Sequence, residues 1–264
     1  MTIPIFQLNS GRGIPALGLG TYKLDGPVAA PTVAEALRLG YRHIDTAAIY
    51  GNEVQVGQGL RQSGVAREDV FITTKLWNDH HQRDRALRAF DQSLAALGLD
   101  YVDLYLIHWP VPADGLMVEA WRTLIEIADS GRAKSIGVSN FSAEDLAAVI
   151  DATGVVPAVN QIELHPLRQQ RDLRALHAEL GVVTQAWGPL GRGADLRDGV
   201  VRAVARDAGK TPAQTVLRWL VQLGIVAFPK TARPERLAEN LAIDDFELGP
   251  RDMERLNAIP DAVR

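Results

Sequence analysis

The sequence predicts a closed (β/α)8 barrel, and three observations lead to that prediction. Short runs rich in Val, Ile and Leu alternate with amphipathic segments along all 264 residues. The runs are apolar on both faces, as parallel strands covered by helices are. The rival fold, an open doubly wound sheet, would carry a Gly-x-Gly-x-x-Gly fingerprint, and none occurs here. Eight strands, each followed by a helix, in about 250 residues fit one barrel domain over residues 1–264.

Each element is placed in chain order by its composition and period. A β-hairpin that closes the bottom of the barrel comes first, because two short apolar runs flank a turn-forming segment; it comprises residues 5–8, the turn 9–13 and residues 14–17. Apolar runs then predict barrel strands at 18–21, 43–45, 71–74, 102–107, 135–138, 158–162, 182–186 and 226–228. Apolar residues spaced by three and four predict helices at 28–39, 52–63, 82–97, 118–129, 143–151, 172–180, 211–223, 234–241 and 250–257. The pair Thr211-Pro212 is typical of an N-cap followed by proline at the first helical position.

Bulk composition restricts the class of protein. The chain is 47% hydrophobic and 23% charged, which is ordinary for a globular protein. A net charge of −4 argues against a general nucleic-acid binder, and the absence of cysteine excludes disulfides and thiolate metal sites. The first ten residues lack the basic and apolar regions of a signal peptide, and no apolar run is long enough to span a bilayer. We therefore expect a cytoplasmic protein without membrane contacts.

Four ionisable residues follow three consecutive predicted strands. Asp45 ends strand two, Tyr50 lies in the loop after it, Lys75 ends strand three and His108 ends strand four. Catalytic residues of a barrel gather at the C-terminal ends of its strands. A lone charge there is costly unless it is paired. The four positions therefore predict one shared cluster.

The cluster has the chemistry of a proton-donating site. A tyrosine hydroxyl titrates near pH ~10 and gives up its proton poorly at neutrality. A nearby ammonium lowers that pKa, so we expect Lys75 to activate Tyr50 and Asp45 to hold Lys75 charged. His108 is expected to hydrogen-bond the substrate oxygen or relay the proton. Taken singly, each residue has a structural interpretation, as an ion pair or as core packing; their joint placement favours catalysis of carbonyl reduction.

Several longer motifs resemble those of the aldo-keto reductases. They are Gly-Tyr-Arg-His-Ile-Asp-Thr-Ala-Ala-Ile-Tyr-Gly-Asn-Glu, Thr-Lys-Leu-Trp, Leu-Ile-His-Trp-Pro, Ile-Gly-Val-Ser-Asn-Phe, Val-Asn-Gln-Ile-Glu-Leu-His-Pro and Phe-Pro-Lys-Thr. The stretch Gln-Ala-Trp-Gly-Pro-Leu-Gly is most similar to the bacterial 2,5-diketo-D-gluconate reductase branch. The resemblance implies a (β/α)8 barrel that uses NADPH to reduce aldehydes or ketones, such as diketo-sugar acids or small dicarbonyls. It implies Tyr50 as general acid, Asp45 and Lys75 as its tuners, and His108 as the residue that orients the carbonyl.

The resemblance also implies where the nicotinamide is held. Ser139 and Asn140, at the end of strand five, and Gln161, in strand six, present the hydroxyl and amide groups that bind the carboxamide in this family. Trp187 ends strand seven, where its ring would stack on the nicotinamide; many members have tyrosine there. Core packing is the alternative for Trp187. The implied cofactor set also includes three residues at the end of strand one and just after it, Gly20, Thr21 and Tyr22.

Two further segments are assigned to the rest of NADP(H). Backbone amides of a glycine-rich loop can approach a pyrophosphate, and the loop here consists of Gly188, Pro189, Leu190, Gly191, Arg192 and Gly193. Most relatives have serine where Gly188 stands. After strand eight, a cationic stretch that includes Lys230, Thr231 and Arg236 precedes a helix and suits a 2′-phosphate, whereas Glu239 and Asn240 match the family's adenine positions. The alternative is a solvated basic face, and Pro234, which replaces a basic residue, leaves the strength of the NADPH preference open.

The remaining expectations concern substrate, assembly and rival functions. Tyr22, Trp77, His108 and Trp109 are predicted to line the substrate pocket, which a short C-terminus would leave open. The other histidines show no ligand spacing, so no metal site is predicted. The family's habit implies a monomer. Two rivals to the reductase remain: a non-catalytic NADP(H)-binding regulatory barrel, and an aldolase that uses Lys75 as a Schiff-base nucleophile.

Overall fold

An N-terminal hairpin closes one end of a parallel barrel. The computed structural model describes residues 3–262. In it β1 (Ile5–Gln7) pairs antiparallel with β2 (Gly13–Pro15). The Asn9 amide donates to the Val156 carbonyl at 3.1 Å, and Ile14 is fully buried against residues at the N-terminal ends of the barrel strands. The predicted bottom-closing hairpin is confirmed.

Eight parallel strands follow and close on themselves. In spatial order they are β3 (Leu19–Gly20), β4 (His43–Asp45), β5 (Phe71–Leu76), β6 (Val102–Ile107), β7 (Ala133–Ser139), β8 (Val159–Glu163), β9 (Val183–Trp187) and β10 (Val226–Ala227). The first and last strands meet where the Gly18 amide donates to the Ala227 carbonyl at 2.9 Å and the Ala227 amide donates to Ala16 at 2.9 Å. These bonds close the barrel that the strand count predicted.

Helices cover the outside of the barrel. Their bounds are α1 (Gly26–Leu39), α2 (Glu53–Ser63), α3 (Arg83–Leu97), α4 (Met117–Asp129), α5 (Ala143–Thr153), α6 (Arg171–Leu180), α7 (Gly199–Asp207), α8 (Pro212–Gln222), α9 (Pro234–Leu241) and α10 (Pro250–Asn257). Thr211 caps α8 in a capping box, as its sequence indicated. The sequence analysis missed α7, a short helix that a 3-10 turn at Asp195–Arg197 separates from the glycine-rich loop. Asp198 initiates it by accepting hydrogen bonds from the Val200 and Val201 amides.

Apolar side chains fill both the barrel and the space under its helices. Inside the barrel, Leu104, Leu106, Val159 and Val226 have no exposed surface. A larger cluster packs the outer faces of the strands against the helices. The strands are thus largely apolar on both faces, as predicted, and the polar groups of the candidate site lie at their C-terminal ends. Within residues 3–262, no helix is both long and apolar enough to cross a membrane.

Two glycines let α2 pack closely between its neighbours. A Cβ at Gly57 would collide with the backbone carbonyl of Leu97 at the end of α3, and a Cβ at Gly59 would meet the Ala30 carbonyl of α1 at 2.6 Å. Backbone atoms cannot move aside as a flexible side chain can. The helix that follows Tyr50 is therefore positioned by contacts that only glycine permits.

We expect Gly57→Ala to lower the free energy of unfolding by about 1–3 kcal/mol, because overpacking displaces α2 from α3. The matched control is Gly199→Ala, at the first position of α7, where an added Cβ meets nothing within 4 Å. That change should leave stability unchanged or raise it by about 0.4–1 kcal/mol. Urea unfolding of both variants provides the measurement. Equal stabilities for the two would contradict the packing argument.

Candidate active site

A buried ion pair lies at the C-terminal end of the barrel. Strands β4 and β5 are parallel neighbours, and their register pairs Asp45 with Thr73, two residues before Lys75. The Lys75 ammonium donates to Asp45 Oδ1 at 2.6 Å and to the Thr46 carbonyl at 2.8 Å. Lys75 is 0% exposed. The predicted contact between these two strand ends is present, and a third oxygen, Tyr50 Oη, lies 3.5 Å from the same ammonium.

The protonation states follow from burial and from these charges. Burial lowers the pKa of Lys75, but Asp45 and Tyr50 raise it more, so the amine stays protonated. Burial raises the pKa of Asp45, and the Lys75 ammonium opposes that rise. The pKa of Tyr50 is raised by burial, with Lys75 lowering it only in part. The expected net lowering of the Tyr50 pKa is therefore wrong for this structure, because desolvation outweighs the ammonium.

His108 lies between two aromatic rings beside this pair. Its ring centroid is 5.8 Å from that of Tyr50 and 5.1 Å from that of Trp77, both edge to face. Burial and then the Lys75 charge lower its pKa to about 3. The imidazole is thus neutral near pH 7 and keeps one N–H to donate. It can hydrogen-bond an oxygen, but it does not hold the spare proton that a general acid needs.

Asn52 supports the loop that carries Tyr50. Its buried amide donates to the carbonyls of Thr21 and Leu24 at 2.9 and 3.0 Å, and its oxygen accepts from the Thr46 hydroxyl at 3.2 Å. These bonds join the loops after β3 and β4. Sequence reasoning missed Asn52, although it stands within the motif of residues 40–53. Its signal was an amide directly preceding a helix that it does not cap.

The residues assigned to the nicotinamide adjoin the ion pair. Gln161 Nε2 donates to Asp45 Oδ2 at 2.8 Å. The Asn140 amide donates to the His108 carbonyl at 3.0 Å and to Ser139 Oγ at 2.9 Å. The Trp187 indole donates to Asn140 Oδ1 at 2.8 Å. The structure thus brings Ser139, Asn140, Gln161 and Trp187 together with the predicted catalytic cluster, and their amide and hydroxyl groups fit a carboxamide.

The glycine-rich loop follows Trp187 directly. Gly188, Gly191 and Gly193 all have positive φ, at 61°, 55° and 89°. The Gly191 and Gly193 amides already donate to the carbonyls of Gly188 and Leu190, at 2.9 and 2.8 Å. These two amides are therefore engaged within the loop. The exposed Arg192 is the cation that this loop carries.

The basic segment after β10 begins beside the end of β3. The Gly20 amide donates to the Pro229 carbonyl at 3.2 Å, which joins the two segments. Lys230 and Arg236 are exposed, whereas Thr231 is buried and accepts from the Arg233 amide at 3.1 Å. Asn240 is buried and Glu239 half-buried on α9. An exposed cation just before α9 and another in its first turn suit a phosphate group.

Aromatic residues form the rim of the catalytic cluster. Tyr22 is 54% exposed, and its ring centroid is 5.1 Å from that of Tyr50. Trp109 is 41% exposed and Trp77 half-buried. Trp109 also lines a groove of about 990 Å³ that includes Asn140 and Trp187. Tyr22 therefore contacts Tyr50 and Trp77 contacts His108, while Tyr50 and His108 both stay partly exposed.

Comparison of this chain with known proteins identifies its family. The model of the Aldo/keto reductase family matches residues 15–261. Methylglyoxal reductase DkgA of Salmonella typhimurium is 46% identical over 98% of this chain and 94% of its own length. Morphine 6-dehydrogenase of Pseudomonas putida is 45% identical over 99% of this chain and 93% of its own.

A solved structure has the same fold. It is the crystal structure of a Gox0644 mutant in complex with NADPH, which is 45% identical, superposes with a TM-score of 0.95, and is matched over 98% of this chain and 94% of that one. With the family model covering nearly all of the barrel, the chain belongs to the aldo/keto reductase family.

Proposed function

We propose that this protein is an NADPH-dependent reductase that converts aldehydes or ketones to alcohols, with Tyr50 as the proton donor. The single observation that carries the proposal is the contact of Tyr50 Oη with a buried, ion-paired ammonium at 3.5 Å. A phenol beside a fixed cation can release a proton as negative charge forms on a neighbouring oxygen. Its elevated pKa keeps that proton in place until the substrate oxygen becomes basic.

The other site residues prepare that proton transfer. When bound, NADPH supplies the hydride. Lys75 stabilises the phenolate left after Tyr50 has donated, and Asp45 keeps Lys75 charged and positioned. His108, which is neutral, donates a hydrogen bond that orients the carbonyl oxygen toward Tyr50. The low-polarity surroundings strengthen these interactions relative to water.

The cofactor would be held by three groups of residues. Ser139, Asn140 and Gln161 would bind the carboxamide, and Trp187 would stack on the ring. The loop 188–193, Gly20, Thr21 and Tyr22 would lie along the phosphate and ribose groups. Lys230 and Arg236 would bind the 2′-phosphate, with Glu239 and Asn240 toward the adenine. The complex of the Gox0644 mutant with NADPH supports this choice of cofactor.

The rival hypotheses fit the site less well. A Schiff-base lysine must be a neutral amine, whereas the Lys75 pKa is raised and its Nζ is enclosed by oxygens. A purely regulatory barrel would have no need for a proton donor open to the aromatic rim. Relatives of nearly equal identity are named for methylglyoxal and for morphine, so identity leaves the substrate open. A panel of small dicarbonyls, diketo-sugar acids and bulkier ketones tests it.

Replacing Tyr50 by phenylalanine should lower kcat by about 10²–10⁴-fold, because it removes only the transferable proton. NADPH affinity, measured by fluorescence titration, should stay nearly unchanged. The matched control is Tyr101→Phe, a half-buried tyrosine that stacks on Arg67 away from the site. It should keep full turnover with the panel compound that wild type reduces fastest. If Tyr50→Phe retains most activity, Tyr50 is not the acid.

Lys75→Met should abolish most turnover and lower the free energy of unfolding by about 3–5 kcal/mol, since Asp45 is left buried and unpaired. Without Lys75, burial raises the folded-state pKa of Asp45 further above its ordinary value of 3.8. Between pH 3.8 and the raised pKa of Asp45, the folded state then binds more protons than the unfolded state. The free energy of unfolding therefore falls as the pH rises through this range. Urea titrations at pH 5 and pH 8 should show the variant relatively more stable at pH 5.

The double variant Asp45→Asn with Lys75→Met separates charge from catalysis. It removes both buried charges, so most of the lost stability should return and the extra pH dependence should disappear. Activity should not return, because no ammonium faces Tyr50. Recovery of turnover in this variant would show that the ion pair is structural only.

Arg236→Ala should weaken NADPH binding about ten- to a hundredfold, because a charge-assisted bond contributes about 1.5–3 kcal/mol, and should leave NADH binding nearly unchanged. The control is Arg251→Ala, an exposed arginine in the first turn of α10. Both cofactors are titrated at one salt concentration, since screening weakens exposed pairs. An equal loss for NADPH and NADH would place Arg236 outside the 2′-phosphate site.

A further inference from the structure

The buried side-chain amide of Gln185 takes no part in the proposed mechanism. Gln185 of β9 is the register partner of Gln161 on β8. Gln161 Nε2 donates to Gln185 Oε1 at 3.0 Å as well as to Asp45 Oδ2 at 2.8 Å. Gln185 is 0% exposed, and its own Nε2 has no hydrogen-bond partner among residues 3–262. A chain of polar contacts thus extends from β9 through Gln161 to the ion pair.

The charge on Asp45 determines how both amides are oriented. An ionised carboxylate only accepts hydrogen bonds, so the Gln161 atom that faces Asp45 must be its nitrogen. The Gln185 atom 3.0 Å from that nitrogen must then be an oxygen. Both N–H groups of Gln161 are engaged in this way. Within the described residues its Oε1 accepts no hydrogen bond and is left as an acceptor.

Stability alone does not explain Gln185. A buried amide nitrogen without a partner costs free energy, and such an atom in a native structure requires an explanation. The side chains of Leu104, Leu106 and Val159 show that this interior accepts apolar residues. Methionine would fill a similar volume without an unsatisfied donor. Glutamine at this position therefore lowers the stability of the fold but supplies an acceptor oxygen.

We infer that Gln185 is a positioning residue for the nicotinamide: by accepting from Gln161, it fixes Gln161 Oε1 as the acceptor for the N–H of the carboxamide. This inference rests on the proposed function. A methionine at position 185 would free one Gln161 proton, and the amide could then turn about its bond to Asp45. The carboxamide would lose a fixed acceptor, whereas the ion pair of Asp45 and Lys75 would remain.

The test measures recognition of one N–H group by direct binding. NADP⁺ and its 3-acetylpyridine analogue, in which a methyl replaces the amide NH₂, are titrated against wild type, Gln185→Met and Gln185→Glu. Wild type should bind NADP⁺ about 3- to 10-fold more tightly than the analogue, the contribution of one hydrogen bond. Gln185→Met should reduce this preference to below about 2-fold, with a Tm equal to or above that of wild type. Gln185→Glu keeps an acceptor oxygen, so it should show the wild-type preference for NADP⁺ over the analogue.

The other outcomes overturn the inference in distinguishable ways. If Gln185→Met keeps the wild-type preference for NADP⁺ over the analogue, Gln185 does not orient Gln161. A lowered Tm with unchanged preference would make Gln185 a structural residue only. Equal binding of both nucleotides by wild type would exclude carboxamide N–H recognition while leaving the proposed reductase intact. Failure of wild type to bind either nucleotide would overturn the proposed function as well.

Discussion

The ion pair between Lys75 and Asp45 is the interaction on which the rest of the site depends. Two charges sealed from solvent are stable only if their remaining donors and acceptors are satisfied. Here the Thr46 carbonyl completes the Lys75 ammonium, and Gln161 completes the Asp45 carboxylate. Gln161 lies on β8 and Lys75 on β5, so the pair is satisfied only when the sheet has curled into a barrel. The fold and the charges of the site therefore support each other.

The same ammonium sets the properties of its neighbours. It adds to the effect of burial at His108 and so keeps that imidazole neutral, which leaves Tyr50 as the group with a proton to give. At Tyr50 it opposes the effect of burial, so the cost of forming a phenolate is smaller than in an apolar pocket without a cation. One buried cation thus assigns different roles to a phenol and an imidazole that share an edge-to-face contact.

Sequence reasoning could group Asp45, Lys75 and His108 because parallel strands place their C-terminal residues at the same end of a barrel. It could not give the net pKa of Tyr50, which depends on how deeply the ring is buried. It missed α7 although this helix shows both signals in the sequence: an N-cap at Asp198 and apolar residues at helical spacing, Val201, Val204 and Ala205.

Sequence reasoning missed Asn52 and Gln185 because a side-chain amide does not titrate, and these two match no catalytic pattern. Their importance lies in which atoms they satisfy, and that requires coordinates. The two ends of the cofactor site differ in the same respect. At the proposed nicotinamide end, Asp45 orients the buried amides of Gln161 and Gln185, whereas the proposed 2′-phosphate end has exposed cations just before α9 and in its first turn. On this proposal, carbonyl reduction depends on the barrel core, and the choice between NADPH and NADH depends on surface residues that can change without disturbing it.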